Sequence, residues 1–201
     1  MTPSLQSTNT WDFRLGRKDA GVALVLIAAL ALGWLLRMSV EGRTTVFQDK
    51  ATGFTVSYPA TWGSTESLKQ IMLKVENPAT ESAFKSSLAV DRRGLDTQNP
   101  PTLQLLVDRR VAQQGTLTAY HLLSTADATV SGLKSMRQEY AYVVQPIDQA
   151  RRASLPVVVH AIEYVVLGKD SAYYITLAVP EDEAAGATQL MDSIIRSVKV
   201  N

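Results

Sequence analysis

An uninterrupted apolar run dominates the hydrophobic pattern of this chain. Between Ala20 and Leu36 it carries no charged side chain. As a helix, a run of this length rises about 26 Å, close to the thickness of the hydrocarbon core of a bilayer. The run is longer than the apolar stretch of a cleaved signal peptide, and no Ala-x-Ala site follows it. We therefore predict a transmembrane signal anchor over residues 20–40, with a cleaved signal peptide as the alternative.

The charges that flank the run predict its orientation. Three basic residues precede it closely and two follow it. Because basic residues favour the cytoplasmic side, we expect residues 1–19 to form a cytoplasmic tail and residues 41–201 to form an extracytoplasmic domain. The expected location is the cell membrane, crossed once by the helix.

Beyond the run, the periodicity changes between that of strands and that of helices. Alternating or continuous apolar residues predict strands at 44–48, 54–58, 71–75, 86–91, 120–124, 137–144, 156–167 and 171–179. An amphipathic helix is predicted with Asn99 as its N-cap and Gly115 just past its end, and residues 127–132 are predicted to turn. A last helix is predicted to begin at Pro180 and to bury an apolar stripe that ends at Val198. Helices packed on an antiparallel β-sheet make an α+β domain.

Three segments of this domain resemble the PsbP/Mog-like fold family. They are Gly53-Phe54-Thr55-Val56-Ser57-Tyr58-Pro59 with Trp62, Thr129-Val130-Ser131-Gly132 with Arg137-Gln138-Glu139-Tyr140, and Ala172-Tyr173-Tyr174-Ile175-Thr176-Leu177 with Ile194-Ile195-Arg196-Ser197-Val198. The resemblance implies an antiparallel β-sheet flanked by helices, an α/β/α sandwich preceded here by one transmembrane helix. It also implies binding to proteins rather than catalysis. Neither a photosystem association nor a metal ligand is carried over.

The composition narrows the chemistry of the domain. From residue 43 onward it has equal numbers of basic and acidic residues, which argues against a nucleic-acid partner because phosphate binding needs a basic surface. The chain has no cysteine, so it has no disulfide, no thiolate metal site and no cysteine nucleophile. Neither a nucleotide-binding nor a serine-hydrolase motif occurs. We predict no catalytic residue, no cofactor and no metal site.

Two histidines are the remaining candidates for chemistry. His160 lies in an apolar strand pattern, where alternation places it on the face of Ile162 and Tyr164 and opposite to Glu163. We interpret it as a hydrogen-bonded core histidine, with a ligand or a general base as the alternative. His121 lies at the edge of a predicted short strand.

Arginine pairs offer a surface for a partner. They are Arg92-Arg93, Arg109-Arg110 and Arg151-Arg152. The partner-surface candidates are Arg92, Arg93, Arg151 and Arg152, because guanidinium groups that converge suit a carboxylate or a phosphate. The alternative is an ordinary solvated surface with local ion pairs.

These observations favour a membrane-tethered, non-catalytic domain that binds a protein or assists the assembly of a complex. The second hypothesis is a small-molecule or lipid-binding envelope protein, with an apolar cavity lined by Tyr140, Tyr142 and Tyr173. The third is an envelope hydrolase, which needs a nucleophile beside His121 or His160.

Overall fold

The chain divides into two compact units, Met1–Gly42 and Arg43–Asn201, in a computed structural model that describes residues 17–65, 71–145 and 155–200. In the first unit, helix α1 spans Arg17–Glu41, and its large apolar side chains between Val22 and Leu36 are exposed. Within the described ranges, no helix combines the length and the apolar character that crossing a membrane requires. The transmembrane assignment stays a prediction.

The described part of the second unit is built from strands and two α-helices. Its described strands are β1 (Thr44–Gln48), β2 (Thr55–Pro59), β3 (Gly63–Ser64), β4 (Ile71–Glu76), β5 (Ser87–Gly94), β6 (His121–Val130), β7 (Leu133–Val144), β8 (Val157–Leu167) and β9 (Ser171–Pro180). Helix α2 spans Leu103–Gln114, and helix α3 spans Ala184–Ser197 after a 3-10 turn at Glu181–Glu183. The predicted α+β class is confirmed.

Strand pairing makes one large antiparallel sheet and one hairpin. β1 pairs with β2, and the other seven strands follow the order β3-β4-β5-β9-β8-β7-β6. Every neighbouring pair in the large sheet is antiparallel. β8 and β9 lie inside the sheet, where seven of the eleven residues of β8 and nine of the ten residues of β9 are buried. The strand predicted over residues 156–167 is confirmed as β8.

The two faces of the sheet pack against different elements. Because side chains alternate along a strand, Ile162, Tyr164 and Val166 of β8 face one side and Val165 faces the other. The first three residues lie in a core with α3 and the β1–β2 hairpin, whereas Val165 packs with Leu106 and Val107 of α2. The sheet therefore lies between helical layers, as an α/β/α sandwich requires.

Helix α2 begins three residues later than the sequence pattern predicted. Thr102, not Asn99, is the N-cap: its backbone is extended and its hydroxyl accepts a hydrogen bond from the Leu105 N–H. Thr is among the preferred N-cap residues because its hydroxyl can accept a helix N–H, and Pro100 and Pro101 remain in the preceding loop. Gly115 follows the last helical residue, as predicted.

Strand β6 is twice as long as predicted, and the predicted turn at residues 127–132 is wrong over its first part. The chain turns only at Ser131 and Gly132, which both have positive φ (53° and 79°). This is a two-residue hairpin loop between the paired residues Val130 and Leu133. Asp127 fits in the strand because its side chain is exposed at the edge of the sheet.

Candidate functional site

A carboxylate lies in the centre of the sheet, buried among apolar side chains. Glu163 of β8 has no exposed surface, and alternation places it on the α2 side with Ala161 and Val165. A charged group in such a place needs a charged partner and further hydrogen bonds, because burial alone disfavours the ionised form. Glu163 is therefore a natural centre for a polar cluster.

Helix α2 supplies the partners of Glu163. Arg110 and Gln114 lie four residues apart, so they share one face of the helix. Arg110 Nε donates to Glu163 Oε1 over 2.7 Å, and Gln114 Nε2 donates to Oε2. The Tyr140 hydroxyl of β7 lies 3.5 Å from the same Oε2. We call Glu163, Arg110, Gln114 and Tyr140 the buried polar cluster.

Burial controls the protonation of this cluster. It raises the pKa of Glu163, and the charge of Arg110 and the hydrogen bonds to the carboxylate oppose that rise without cancelling it. Burial on its own would lower the pKa of Arg110, but the charge of Glu163 and its hydrogen bond hold that pKa above its usual value. Burial also raises the pKa of Tyr140, so its phenol stays protonated.

A second arginine approaches Arg110 at the surface. The guanidinium carbons of Arg110 and Arg93 lie 5.1 Å and 5.5 Å from the centroid of the Tyr174 ring, within the range of a cation–π interaction. A terminal nitrogen of each also donates to Gln113 Oε1, over 3.3 Å from Arg93 and 3.4 Å from Arg110. One aromatic ring and one amide oxygen therefore hold two guanidinium groups together.

These groups line a surface groove. It extends from the end of β5 along the loop before α2 and has a volume of about 840 Å³. Three of its lining residues are basic and one is acidic: Arg93, Arg109, Arg110 and Asp96. We call this feature the arginine groove. Its basic side chains and its open shape suit an anionic group that enters from solvent.

The structure separates the arginines that the sequence proposed as a partner surface. Arg93 lines the arginine groove. Arg92 is the neighbour of Arg93 on β5, and the Arg92 Nε donates to Ser171 Oγ over 2.9 Å. Because adjacent strand residues face opposite sides, Arg92 and Arg93 do not form one patch. Arg151 and Arg152 lie outside the described residues.

Sequence reasoning missed Arg110, Glu163 and Tyr174 as parts of one site. The sequence did contain a signal for such a site, because Glu163 is a lone carboxylate inside an apolar strand and a buried carboxylate requires a cation nearby. The sequence did not show which helix would cover that strand. The predicted tyrosine-lined cavity is wrong: Tyr140 and Tyr142 pack on one face of the sheet, while Tyr173 packs on the other and stacks on Phe54 at 5.0 Å.

The two histidines lie apart from this site. His160 of β8 lies on the opposite face of the strand from Glu163, as alternation predicted. Its interpretation as a hydrogen-bonded core histidine is not borne out, because the residue is only half-buried and its buried Nδ1 has no hydrogen-bond partner among the described residues. His121 is exposed on the edge strand β6. Among the residues that the structure describes, no group of three or more His, Asp or Glu side chains is placed to hold a metal ion.

No family model matches the chain, and no curated protein matches it either. Solved structures do match. Cyanobacterial PsbP (CyanoP) from Synechocystis sp. PCC 6803 superimposes with a TM-score of 0.59 at 15% identity, covering 79% of this chain and 92% of CyanoP. LpqN of Mycobacterium tuberculosis, described as involved in cell envelope biogenesis, gives a TM-score of 0.57 at 9% identity, covering 79% and 91%.

A mutant of the protein Mog1 gives a TM-score of 0.50 at 16% identity, covering 79% of this chain and 96% of Mog1. Identities this low carry the architecture and no residue roles. The three structures superimpose on 79% of this chain and over 91–96% of their own lengths. The chain therefore has the fold of the PsbP/Mog-like family.

Proposed function

We propose that this protein is a membrane-tethered, non-catalytic extracytoplasmic module that binds a protein partner and keeps it near the membrane. The observation that carries the proposal is the arginine groove. Its basic groups are guanidinium groups, which stay protonated and cannot act as general bases, so binding is the chemistry that they support. Arginine and tyrosine are also common anchors of protein interfaces.

The tether rests on the first unit of the chain. The apolar run from Ala20 to Leu36 lacks charge, and the 25-residue helix α1 contains it. The apolar side chains Leu24, Ile27 and Leu30 of α1 are 67–73% exposed, and water is a poor solvent for such a surface. The basic residues before the run favour a cytoplasmic N-terminus. LpqN, which shares the fold, is described as involved in cell envelope biogenesis, and that agrees with an extracytoplasmic role.

Fractionation tests the tether directly. The full chain with a C-terminal tag should stay in the membrane after alkaline carbonate washing. Protease added to intact spheroplasts should remove the tag and the domain. Release of the full-length chain by carbonate, or a domain that resists protease until the membrane is opened, would overturn this part of the proposal.

Crosslinking followed by affinity capture tests partner binding. Reversing the charge of two groove residues with Arg93→Glu and Arg109→Glu should remove a partner that the wild-type chain captures. The matched control is Arg196→Glu, which changes an exposed arginine on α3 and should keep the partner. Capture that is equal for all the chains, or no specific capture at all, would contradict binding through the arginine groove.

A small-molecule or lipid-binding envelope protein is the second candidate. It is favoured by the volume of the groove, about 840 Å³, which lies in the range of small-molecule sites. Native mass spectrometry of the full chain extracted in mild detergent separates the two candidates. A retained ligand of defined mass that Arg93→Glu removes would favour this second function over the first.

A further inference from the structure

The two guanidinium groups on Tyr174 keep hydrogen-bond donors for a ligand. Arg110 uses its Nε for Glu163, and Arg93 uses its Nε for Asp91 Oδ2 at 3.3 Å. One terminal nitrogen of each donates to Gln113. A guanidinium has five N–H donors, so the hydrogen bonds among the described residues leave terminal N–H groups on both arginines.

Gln113 fixes the spacing of these donors. Both arginines bond to its Oε1, so the two donating nitrogens lie within the combined length of the two bonds, about 6.7 Å. Both guanidinium groups lie over the Tyr174 ring. Arg110, whose side chain is only 17% exposed, is also held by its ion pair with Glu163. Two like charges held this close repel each other, and an anion between them removes the repulsion.

The charge balance favours a ligand with one negative charge over a ligand with two. Arg93 and Arg110 each have a carboxylate partner, Asp91 and Glu163, and Asp96 also lines the groove. With Arg109, the surroundings are close to neutral. A phosphate monoester brings a charge of about −1.5 to −2 at neutral pH, whereas a carboxylate brings a single charge and matches a planar guanidinium with two oxygens.

We propose that Arg93 and Arg110 form a clamp for a single carboxylate, and that an acidic side chain of the protein partner supplies it. The inference rests on the proposed function, because it names the group that the partner inserts into the arginine groove. Arg93 and Arg110 bind the carboxylate. Gln113 and Glu163 are positioning residues that hold the two guanidinium groups in place.

The test measures peptide binding to the full chain in lipid nanodiscs by fluorescence polarisation. The probe is a labelled, end-blocked peptide with one glutamate among apolar residues, compared with the same peptide carrying glutamine. The clamp predicts that the glutamate peptide binds at least ~10-fold more tightly, the ratio expected for one charge-assisted hydrogen-bonded pair. Equal affinity for the two peptides would overturn the inference.

Two variants separate the clamp from a general positive field. Arg93→Gln changes a side chain that is 48% exposed and should weaken binding of the glutamate peptide by ~10-fold. Arg109→Gln also removes one positive charge from the groove, but Arg109 is not one of the two arginines over the Tyr174 ring. This variant should weaken binding of the glutamate peptide by less than ~3-fold. Equal losses in the two variants would contradict the clamp.

Competition identifies the source and type of the anion. Acetate should displace the glutamate peptide more effectively than inorganic phosphate at equal concentration, and both should act weakly compared with the unlabelled peptide. Stronger displacement by phosphate would show a site for a dianion and would reject the carboxylate clamp. Displacement by acetate as strong as by the peptide would show a free small carboxylate as the ligand.

The peptide test and the capture experiment fail in different ways. If capture depends on the groove but the two peptides bind equally, the proposed function stands and the clamp is rejected. If the peptides differ as expected but no partner is captured, the clamp stands and the proposed function loses its support.

Discussion

Glu163 of β8 and Arg110 of α2 form a buried ion pair, in which Nε and Oε1 are 2.7 Å apart and the carboxylate has no exposed surface. The pair joins the helix to the centre of the sheet. It also fixes the guanidinium that lies over Tyr174 at the arginine groove. The same contact therefore supports the fold and positions a binding group.

Removing the cation of this pair should be costly. Arg110→Met leaves Glu163 buried without its charged partner, so we expect the free energy of unfolding to fall by about 3 kcal/mol or more. The measurement is urea unfolding of the full chain in detergent, followed by circular dichroism. The double variant Arg110→Met with Glu163→Leu removes both charges and should recover most of that loss. A double variant less stable than Arg110→Met would contradict this account of the pair.

The pair should also give stability a particular pH dependence. Because burial raises the pKa of Glu163 above its unfolded value, the folded state holds its proton at higher pH than the unfolded state does. The contribution of Glu163 to the free energy of unfolding is fully present below about pH 4.3, the ordinary pKa of Glu. It is lost as the pH rises through the pKa that Glu163 has in the folded state. We expect the stability of the wild type relative to Glu163→Gln to fall with rising pH above about 4.3, by up to about 1.4 kcal/mol per pH unit. A relative stability that rises with pH would mean that Arg110 lowers the pKa of Glu163 overall.

Two buried glutamines should respond in opposite directions to the same substitution. Both side-chain polar atoms of Gln138 lack a hydrogen-bond partner among the described residues, although the residue is fully buried. Gln138→Met removes this unpaired amide and should stabilise the domain by about 1 kcal/mol. Gln114 has one such unpaired atom, its Oε1, but its Nε2 donates to the buried carboxylate of Glu163, so Gln114→Met should destabilise the domain by about 1 kcal/mol. Chemical denaturation of both variants checks the signs, and destabilisation of equal size in both would reject this reading of Gln138.

The β6–β7 hairpin turn makes a backbone prediction. Gly132 has a φ of 79°, which a residue with a Cβ adopts at a cost of about 1–2 kcal/mol, so Gly132→Ala should lower the thermal midpoint. The control is Gly186→Ala within α3, where a Cβ meets no atom within 4 Å. That change should stabilise the helix by about 0.5–1 kcal/mol. An unchanged or raised midpoint for Gly132→Ala would contradict the turn assignment.

Local patterns predicted most of the strands and both helices of the domain because burial imposes their periodicity directly. β8 and β9 are long runs rich in apolar residues, and they pair as a hairpin across the short gap between the strands predicted at 156–167 and 171–179. The extent of β6 could not be predicted in this way. This edge strand is exposed at most of its positions and is rich in polar residues, so its sequence resembles a loop until the two-residue turn at Ser131 and Gly132 is known.

The arginine groove could be predicted only in part, for a physical reason. The sequence predicted Arg93 as a surface candidate because it belongs to an arginine pair at the end of a strand. Its partner Arg110 lies 17 positions away in the chain, and the two meet through Tyr174, which belongs to a third element. Such convergence depends on strand order β5-β9-β8 and on the helix that covers it. A single sequence gives no direct signal for either.

Site-specific photocrosslinking in intact cells tests the central claim most directly. A photoreactive amino acid replaces Gln98, which lines the arginine groove, and in a second chain it replaces Asp192, which is exposed on α3. The account predicts a discrete crosslinked protein from the Gln98 position, none from the Asp192 position, and loss of the product when Arg93→Gln is added. A product of equal yield from both positions, or one that persists with Arg93→Gln, would contradict partner binding through the arginine groove.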